Sequence, residues 1–209
     1  MMPDEGKIQW LHTARNLKEM EDRYNQWASE YDTDLRDDFA YNGPQTATSL
    51  LRRHVPIGAR ILDAGAGTGL VGQCLANLGY TDLTAMDLSP AMLEESRKKN
   101  LYREIHQMVM GEPLGFPSHA FDAVISVGVF TMGHAPANSF DELVRVTKPG
   151  GYLVFSIRLD AFEAGGFDQK LASLEAERQW ELVEVTDRFA PLPKGEPDIF
   201  YRVWVYRVN

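Results

Sequence analysis

Ala59-Arg60-Ile61-Leu62-Asp63-Ala64-Gly65-Ala66-Gly67-Thr68-Gly69-Leu70-Val71-Gly72 is the stretch on which the fold turns. Its first six residues form a short, mostly apolar run, the size of a buried strand. A glycine-rich turn follows, and then Leu70, Val71, Cys74, Leu75 and Leu78 recur at helical spacing. Gly79 is placed to end that helix in a left-handed conformation. Strand, glycine turn and helix make the first half of a βαβ unit, and the remainder of the chain repeats the alternation. Leu83–Met86 reads as a second strand leading to Asp87. Ser89-Pro90 then supplies an N-cap and a first-turn proline for a helix running to about Asn100, with Glu94–Lys98 and Glu95–Lys99 pairs expected on its solvent face.

Ile105–Met110 and Phe121–Val127 read as the third and fourth strands. Phe140, Leu143 and Val144 mark a helix that stops at Lys148-Pro149-Gly150-Gly151, and Tyr152–Ile157 is the fifth strand. Phe167, Leu171 and Leu174 share a helical face. Glu181–Phe189 and Ile199–Val208 are separated only by the proline-rich segment Pro191–Pro197, too short for a helical crossover, so they are expected to pair antiparallel. The alternation predicts an α/β chain built on a doubly wound, mostly parallel sheet.

With 209 residues the chain suits one α/β domain, and 44% hydrophobic residues predict a packed core. The single cysteine, Cys74, excludes an internal disulfide and is expected as a small core residue on the apolar face of its helix. No run of about 18 apolar residues occurs, and residues 1–5 have no basic stretch leading into an apolar one, so a cytoplasmic protein without a membrane span is expected. A net charge of -9 disfavours a polyanionic partner, since affinity for phosphate backbones comes from neutralising them; only Arg52–Arg53 and Arg97–Lys99 make local basic patches.

Glycines between a strand and a helix let the backbone turn sharply and admit a ligand where a Cβ would collide. Gly67-Thr68-Gly69-Leu70-Val71-Gly72 formally matches the dinucleotide pattern G-x-G-x-x-G. Two acids bear on the ligand. Asp63 stands where a pyrophosphate would be received and would repel it. S-adenosylmethionine, whose sulfonium and ammonium outweigh one carboxylate, suits an acidic neighbour. Asp87 ends the second strand, where a carboxylate can accept ribose hydroxyls of either ligand.

Asp63–Gly69, Asp87 with Leu88-Ser89-Pro90-Ala91-Met92-Leu93, Phe121-Asp122-Ala123-Val124 and Leu143–Gly151 together resemble the successive motifs of class I S-adenosylmethionine-dependent methyltransferases. Gly69-Leu70-Val71, Gly111-Glu112-Pro113-Leu114 and Val127-Gly128 are similar to a methyltransferase-like branch of that family. Tyr24-Asn25-Gln26-Trp27-Ala28-Ser29-Glu30-Tyr31-Asp32 resembles the family's N-terminal element that closes over the cofactor. The i, i+3, i+7 spacing of Tyr24, Trp27 and Tyr31 equally suits a buried helix face, and both readings stand.

The resemblance implies a seven-stranded Rossmann-like sheet in the order 3-2-1-4-5-7-6 with strand 7 antiparallel. It implies a single domain over 1–209, with 1–55 as a helical cap over the cofactor site. Gly65, Gly67 and Gly69, with Ala66 and Thr68 between them, would bind the methionine part, Asp63 would lie near its ammonium, and Asp87 would hold the ribose. Leu88 and Met92 would flank the adenine. Gly111-Glu112 stands where many relatives carry an Asp contacting the adenine amino group, and Val127 would border the methyl group.

The implied reaction is direct displacement of the methyl by an acceptor, leaving S-adenosylhomocysteine. His134 is the first candidate base, because imidazole titrates near neutrality, and Arg158 falls on the same ligand-binding edge of the sheet. No metal is expected, since His12, His54, His106 and His119 show no ligand spacing. A small-molecule or protein acceptor is favoured over nucleic acid. The rival readings are a non-catalytic S-adenosylmethionine-binding module and an NAD-dependent oxidoreductase.

Overall fold

The computed structural model describes residue 3 and residues 6–209. The expectation about residues 1–5 therefore lies outside the described residues, residue 3 apart. Three short helices, α1 (Lys7–His12), α2 (Leu17–Trp27) and α3 (Tyr31–Asp37), precede α4 (Gly43–His54). The alternating body follows as β1 (Arg60–Ala64), α5 (Leu70–Asn77), β2 (Asp82–Asp87), α6 (Pro90–Lys98), β3 (Glu104–Gln107), β4 (Phe121–Phe130), α7 (Ser139–Val146) and β5 (Thr147–Arg158). Helices α8 (Leu159–Ala164) and α9 (Phe167–Ala176) then lead to β6 (Trp180–Val185) and β7 (Tyr201–Val208). The seven strands form one sheet in the order β3-β2-β1-β4-β5-β7-β6, with β7 antiparallel to both neighbours, as expected.

Both faces of the sheet are covered, and the alternation of side chains along each strand sorts the core into two layers. Leu62, Val124, Leu153 and Phe155 point to one side, where Phe140, Phe167 and Trp180 complete an aromatic layer. Ile61, Ala123, Ile125 and Val154 point to the other, against Leu50 and Leu51 of α4 and Val71 and Leu75 of α5. A third cluster, Leu11, Trp27, Leu35 and Leu192, binds α1–α3 to the segment before β7. The expected cap of residues 1–55 thus divides: α4 belongs to a helical layer of the sheet, and only α1–α3 lie over its edge.

Several boundaries shift for identifiable reasons. β4 continues past Val127 because Phe130 is fully buried among aromatic rings; a register irregularity between Ser126 and Phe130 and a left-handed Gly128 at φ 76° accommodate the extension. β5 begins at Thr147, which pairs with Phe121 ahead of a second irregularity, so Pro149-Gly150-Gly151 lies within the strand. β3 stops at Gln107; the Met108 N–H still donates to the Asp87 carbonyl at 3.0 Å, and the chain leaves the sheet after it. β6 ends at Val185, followed by one isolated bridge between Phe189 and Tyr201. On α6 the ion pairs are Glu94–Arg97 and Glu95–Lys98, while Lys99 reaches Asp32 at 2.5 Å. Cys74 is only partly buried, because its helix turns it toward the rim of the layer.

Phe155 sits at the centre of the aromatic layer, with ring centroids 4.6 Å from Phe140, 5.9 Å from Tyr206 and 6.1 Å from Trp204. Phe155→Ala is expected to cost about 3–5 kcal/mol through lost transfer energy and the cavity left behind. Urea denaturation should read this as a lower midpoint at unchanged slope; a loss under 1 kcal/mol would show that the layer closes around the gap.

Candidate functional site

The loop after β1 is held by its own backbone. The N–H groups of Gly65 and Ala66 both donate to the Met86 carbonyl, at 2.8 and 3.0 Å, and the Gly69 N–H donates to the Ala66 carbonyl at 2.8 Å. Gly65, Gly67 and Gly69 all adopt positive φ, at 82°, 54° and 91°, a region where a Cβ is strained. Gly65 carries an added steric demand, since a Cβ there would meet Val129 Cγ2 at 2.2 Å. At Gly67 an added Cβ would meet no protein atom within 4 Å, so open space adjoins the loop.

Asp87 closes this arrangement. Its carboxylate accepts from the Gly67 N–H at 2.8 Å and the Ser89 N–H at 2.9 Å, one bond to each oxygen. Each oxygen keeps lone-pair capacity for a further donor. Burial pushes the Asp87 carboxyl above its ordinary pKa, and the backbone bonds pull it part of the way back.

Beside the loop lies a cavity of about 720 Å³, counted with the open solvent at its mouth. Gly65, Gly67 and Asp87 form its floor, and Leu88 and Met92 one side. Val127 lines it from within β4, and Tyr24 and Tyr31 form the wall toward α1–α3. Among the described residues no lysine or arginine lines it.

Asp63 does not line this cavity. It is buried beneath the loop, where Tyr102 donates to its Oδ2 at 2.5 Å and the Gly72 N–H donates to the same Tyr102 oxygen at 3.1 Å. Its other oxygen, Oδ1, is buried with no hydrogen-bond partner. Burial, reinforced by the charge of Asp87, pushes the Asp63 carboxyl up to about 7, although the Tyr102 bond opposes the shift.

Ala66, Thr68 and Gly69 likewise face away: the Thr68 hydroxyl donates to Asp32 at 2.5 Å, tying the loop to α3. Gly111 and Glu112 also lie outside the cavity; Gly111 turns at φ 90° against Pro136, and Glu112 is exposed. Met108, Val109 and Met110 take that wall instead. The two readings of the N-terminal aromatics each hold for part of the set. Tyr24 and Tyr31 face the cavity, whereas Trp27, 1% exposed, is packed in the third core cluster and donates its indole N–H to Asp34 at 2.6 Å. Leu17 and Met20, overlooked in the sequence, continue the Tyr24 stripe backward at helical spacing and also line the cavity.

His134 stands between this cavity and a second one. Its Nδ1 lies 3.1 Å from the Met132 carbonyl, which can only accept, so Nδ1 carries the proton and Nε2 accepts from the Tyr24 hydroxyl at 3.1 Å. Thr131 lies 2.8 Å from the same Nδ1. Burial lowers the His134 pKa, so the imidazole is neutral near pH 7. Among the described residues no cluster of three or more His, Cys, Asp or Glu could hold a metal, and no helix is long and apolar enough to cross a membrane.

The cavity fits S-adenosylmethionine on its own chemistry. Asp87 retains acceptor capacity for a ribose, Gly67 borders open space, and the lining carries an acid and, among the described residues, no lysine or arginine. An acid ending the second strand serves the ribose of either ligand, so Asp87 marks a nucleoside site without choosing between the two.

Comparison with known proteins agrees. Residues 62–155 match the family model described as a methyltransferase domain. The chain is 33% identical over 194 residues to human methyltransferase-like protein 27, covering 84% of this chain and 78% of that protein. It is 31% identical to the demethylmenaquinone methyltransferase of Tropheryma whipplei (strain Twist), over 70% of this chain and 60% of the other. Among solved structures, the [4+2]-cyclase SpnF superposes with a TM-score of 0.74 at 17% identity, over 93% and 97% of the two chains. A TehB-like S-adenosylmethionine-dependent methyltransferase from Corynebacterium glutamicum does so at 0.65 and 19%, over 90% and 99%. The chain belongs to the family of class I S-adenosylmethionine-dependent methyltransferases.

Proposed function

We propose that this methyltransferase transfers the methyl group by direct displacement to a small-molecule or protein acceptor, holding its donor between the glycine loop, Asp87 and the Tyr24–Tyr31 wall. The observation that carries the reading is the acid floor of the cavity: Asp87 is fixed by two backbone N–H groups and faces a lining that has no lysine or arginine. When bound, S-adenosylmethionine supplies an electrophilic methyl whose bonding pair returns to sulfur. What the protein adds is alignment and a dry enclosure, which together account for most of the acceleration such a displacement needs. Asp87 orients the ribose, Met92 and Leu88 enclose the adenine, and Val127 borders the reacting end. The acidic chain and the lack of basic lining support a non-nucleic-acid acceptor.

Calorimetric titration with S-adenosylhomocysteine is expected to show one site, and NADH none; saturation by NADH alone would overturn the assignment. Asp87→Ala should weaken S-adenosylhomocysteine by about 1–3 kcal/mol, the scale of hydrogen bonds to a charged group. Unchanged affinity in a folded variant would place the ribose elsewhere.

The pH dependence has a defined sign. Burial raises both carboxyls, those of Asp63 and Asp87, above their ordinary values, Asp63 to about 7. A cation bound beside them favours their ionised forms, lowers their pKa and releases protons, so affinity rises with pH until both are ionised before binding. S-adenosylmethionine should therefore bind more tightly as pH is raised from about 5 to about 7, and more steeply than S-adenosylhomocysteine, which lacks the sulfonium. Equal slopes for the two would remove the role assigned to the buried acids.

A further inference from the structure

A second cavity, of about 540 Å³ with its open mouth included, shares Tyr24, Tyr31, Gly128 and His134 with the first and lies on their other side. We propose that this cavity is the acceptor site and that it takes a small, uncharged aromatic compound bearing a hydroxyl, whose proton leaves through Tyr24 to His134. The proposal rests on the methyltransferase reading above and adds the class of substrate.

The walls set the shape of the ligand. Trp27, Tyr31, Tyr41 and Tyr201 present ring surface, and Leu11 and Leu192 add aliphatic surface, a lining matched by a flat apolar body. The roof sets its size. The Asn42 N–H donates to the Pro191 carbonyl at 3.0 Å, and the Gln9 amide donates to Glu196, so the segment 191–196 is strapped across α1 and the start of α4. A polypeptide would have to part these bonds to enter, whereas a single ring system would not.

The polar groups set the charge. Among the described residues Arg158 is the only lysine or arginine in the lining, and its guanidinium is already engaged by Asp160 at 2.7 and 3.0 Å and by His12 Nδ1 at 3.0 Å. Burial and the neighbouring His134 and Arg158 push His12 down to about 4, so it is neutral near pH 7. No uncompensated cation remains for a carboxylate or phosphate.

Hydroxyls remain instead. Tyr201, 8% exposed, lines the cavity, and neither it nor Tyr31 or Tyr41 has a side-chain hydrogen-bond partner among the described residues. Three hydroxyl-bearing residues that line one space without a side-chain partner suit a ligand with oxygen on its rim. At the shared wall, the Tyr24 oxygen can accept from the acceptor's O–H while its own proton passes to His134 Nε2. The acceptor oxygen then forms its bond to the methyl carbon, the carbon–sulfur pair goes to sulfur, and the proton ends on an imidazolium held by Met132 and Thr131.

The test uses the full chain saturated with S-adenosylhomocysteine, titrated calorimetrically with 4-nitrophenol and with 2-naphthol. At least one should bind with one-to-one stoichiometry. Tyr201→Phe should weaken it about two- to tenfold, the loss of one hydrogen bond. Leu192→Trp, which fills the cavity, should abolish it, with S-adenosylhomocysteine affinity unchanged in both variants. In the S-adenosylmethionine-loaded protein, 4-nitrophenolate absorbance should decay, and His134→Gln should slow that decay while leaving phenol affinity in place. If S-adenosylhomocysteine binds but neither phenol does at millimolar concentration, the acceptor proposal falls and the methyltransferase reading survives. It also falls if Tyr201→Phe and Leu192→Trp bind the phenol as wild type does. If S-adenosylhomocysteine itself does not bind, both fall.

Discussion

Two backbone N–H groups, those of Gly67 and Ser89, converge on the carboxylate of Asp87 at 2.8 and 2.9 Å, and the geometry of the site follows from that convergence. One comes from the turn after β1 and the other from the N-cap of α6, so a single side chain sets the spacing of two adjacent βα units. The turn can reach it only because Gly65 and Gly67 adopt positive φ and because the Met86 carbonyl takes the Gly65 and Ala66 N–H groups. With the N–H groups of Gly65, Ala66, Gly67 and Gly69 spent on the protein itself, the loop offers a ligand chiefly space, and Asp87 offers a fixed acid with acceptor capacity to spare.

A second acid stands behind the first. Asp63 is buried with one oxygen unpartnered and the other on Tyr102, an arrangement that keeps negative potential under the loop without exposing a carboxylate to it. The same economy of contact governs the cap: Trp27 anchors α2 and α3 in their own core through Asp34, which frees Tyr24 and Tyr31 to form the partition between the two cavities.

The strand order, the glycine turn and Asp87 were legible in the chain because each is encoded locally: hydrophobic periodicity, a run of glycines, an acid ending a strand before Ser-Pro. Tyr24 and Tyr31 were legible as a stripe. The direction of Asp63 was not, because it depends on Tyr102, a residue 39 positions away in sequence whose hydroxyl reaches back under the turn. The apolar pattern of Met108–Met110 suits a strand, and nothing in it tells a ladder from the cavity wall that follows the end of β3. The role of α4 in the sheet layer was hidden because amphipathic helices look alike whether they cover a sheet or a site. The second cavity had no local signature at all. It is assembled from α1, α3, the segment 191–199 and β7, which meet only in the folded chain, and loops of that kind encode little in a single sequence.

The central claim is that Asp87, fixed by Gly67 and Ser89, receives the ribose of an adenosyl ligand on a floor free of positive charge. A crystal structure of the protein with S-adenosylhomocysteine tests it most directly. The account predicts both ribose hydroxyls within hydrogen-bonding distance of the Asp87 carboxylate, with the sulfur directed toward Val127 and the Tyr24–His134 pair. A ligand seated elsewhere, with Asp87 bonded only to its own backbone donors, would contradict it.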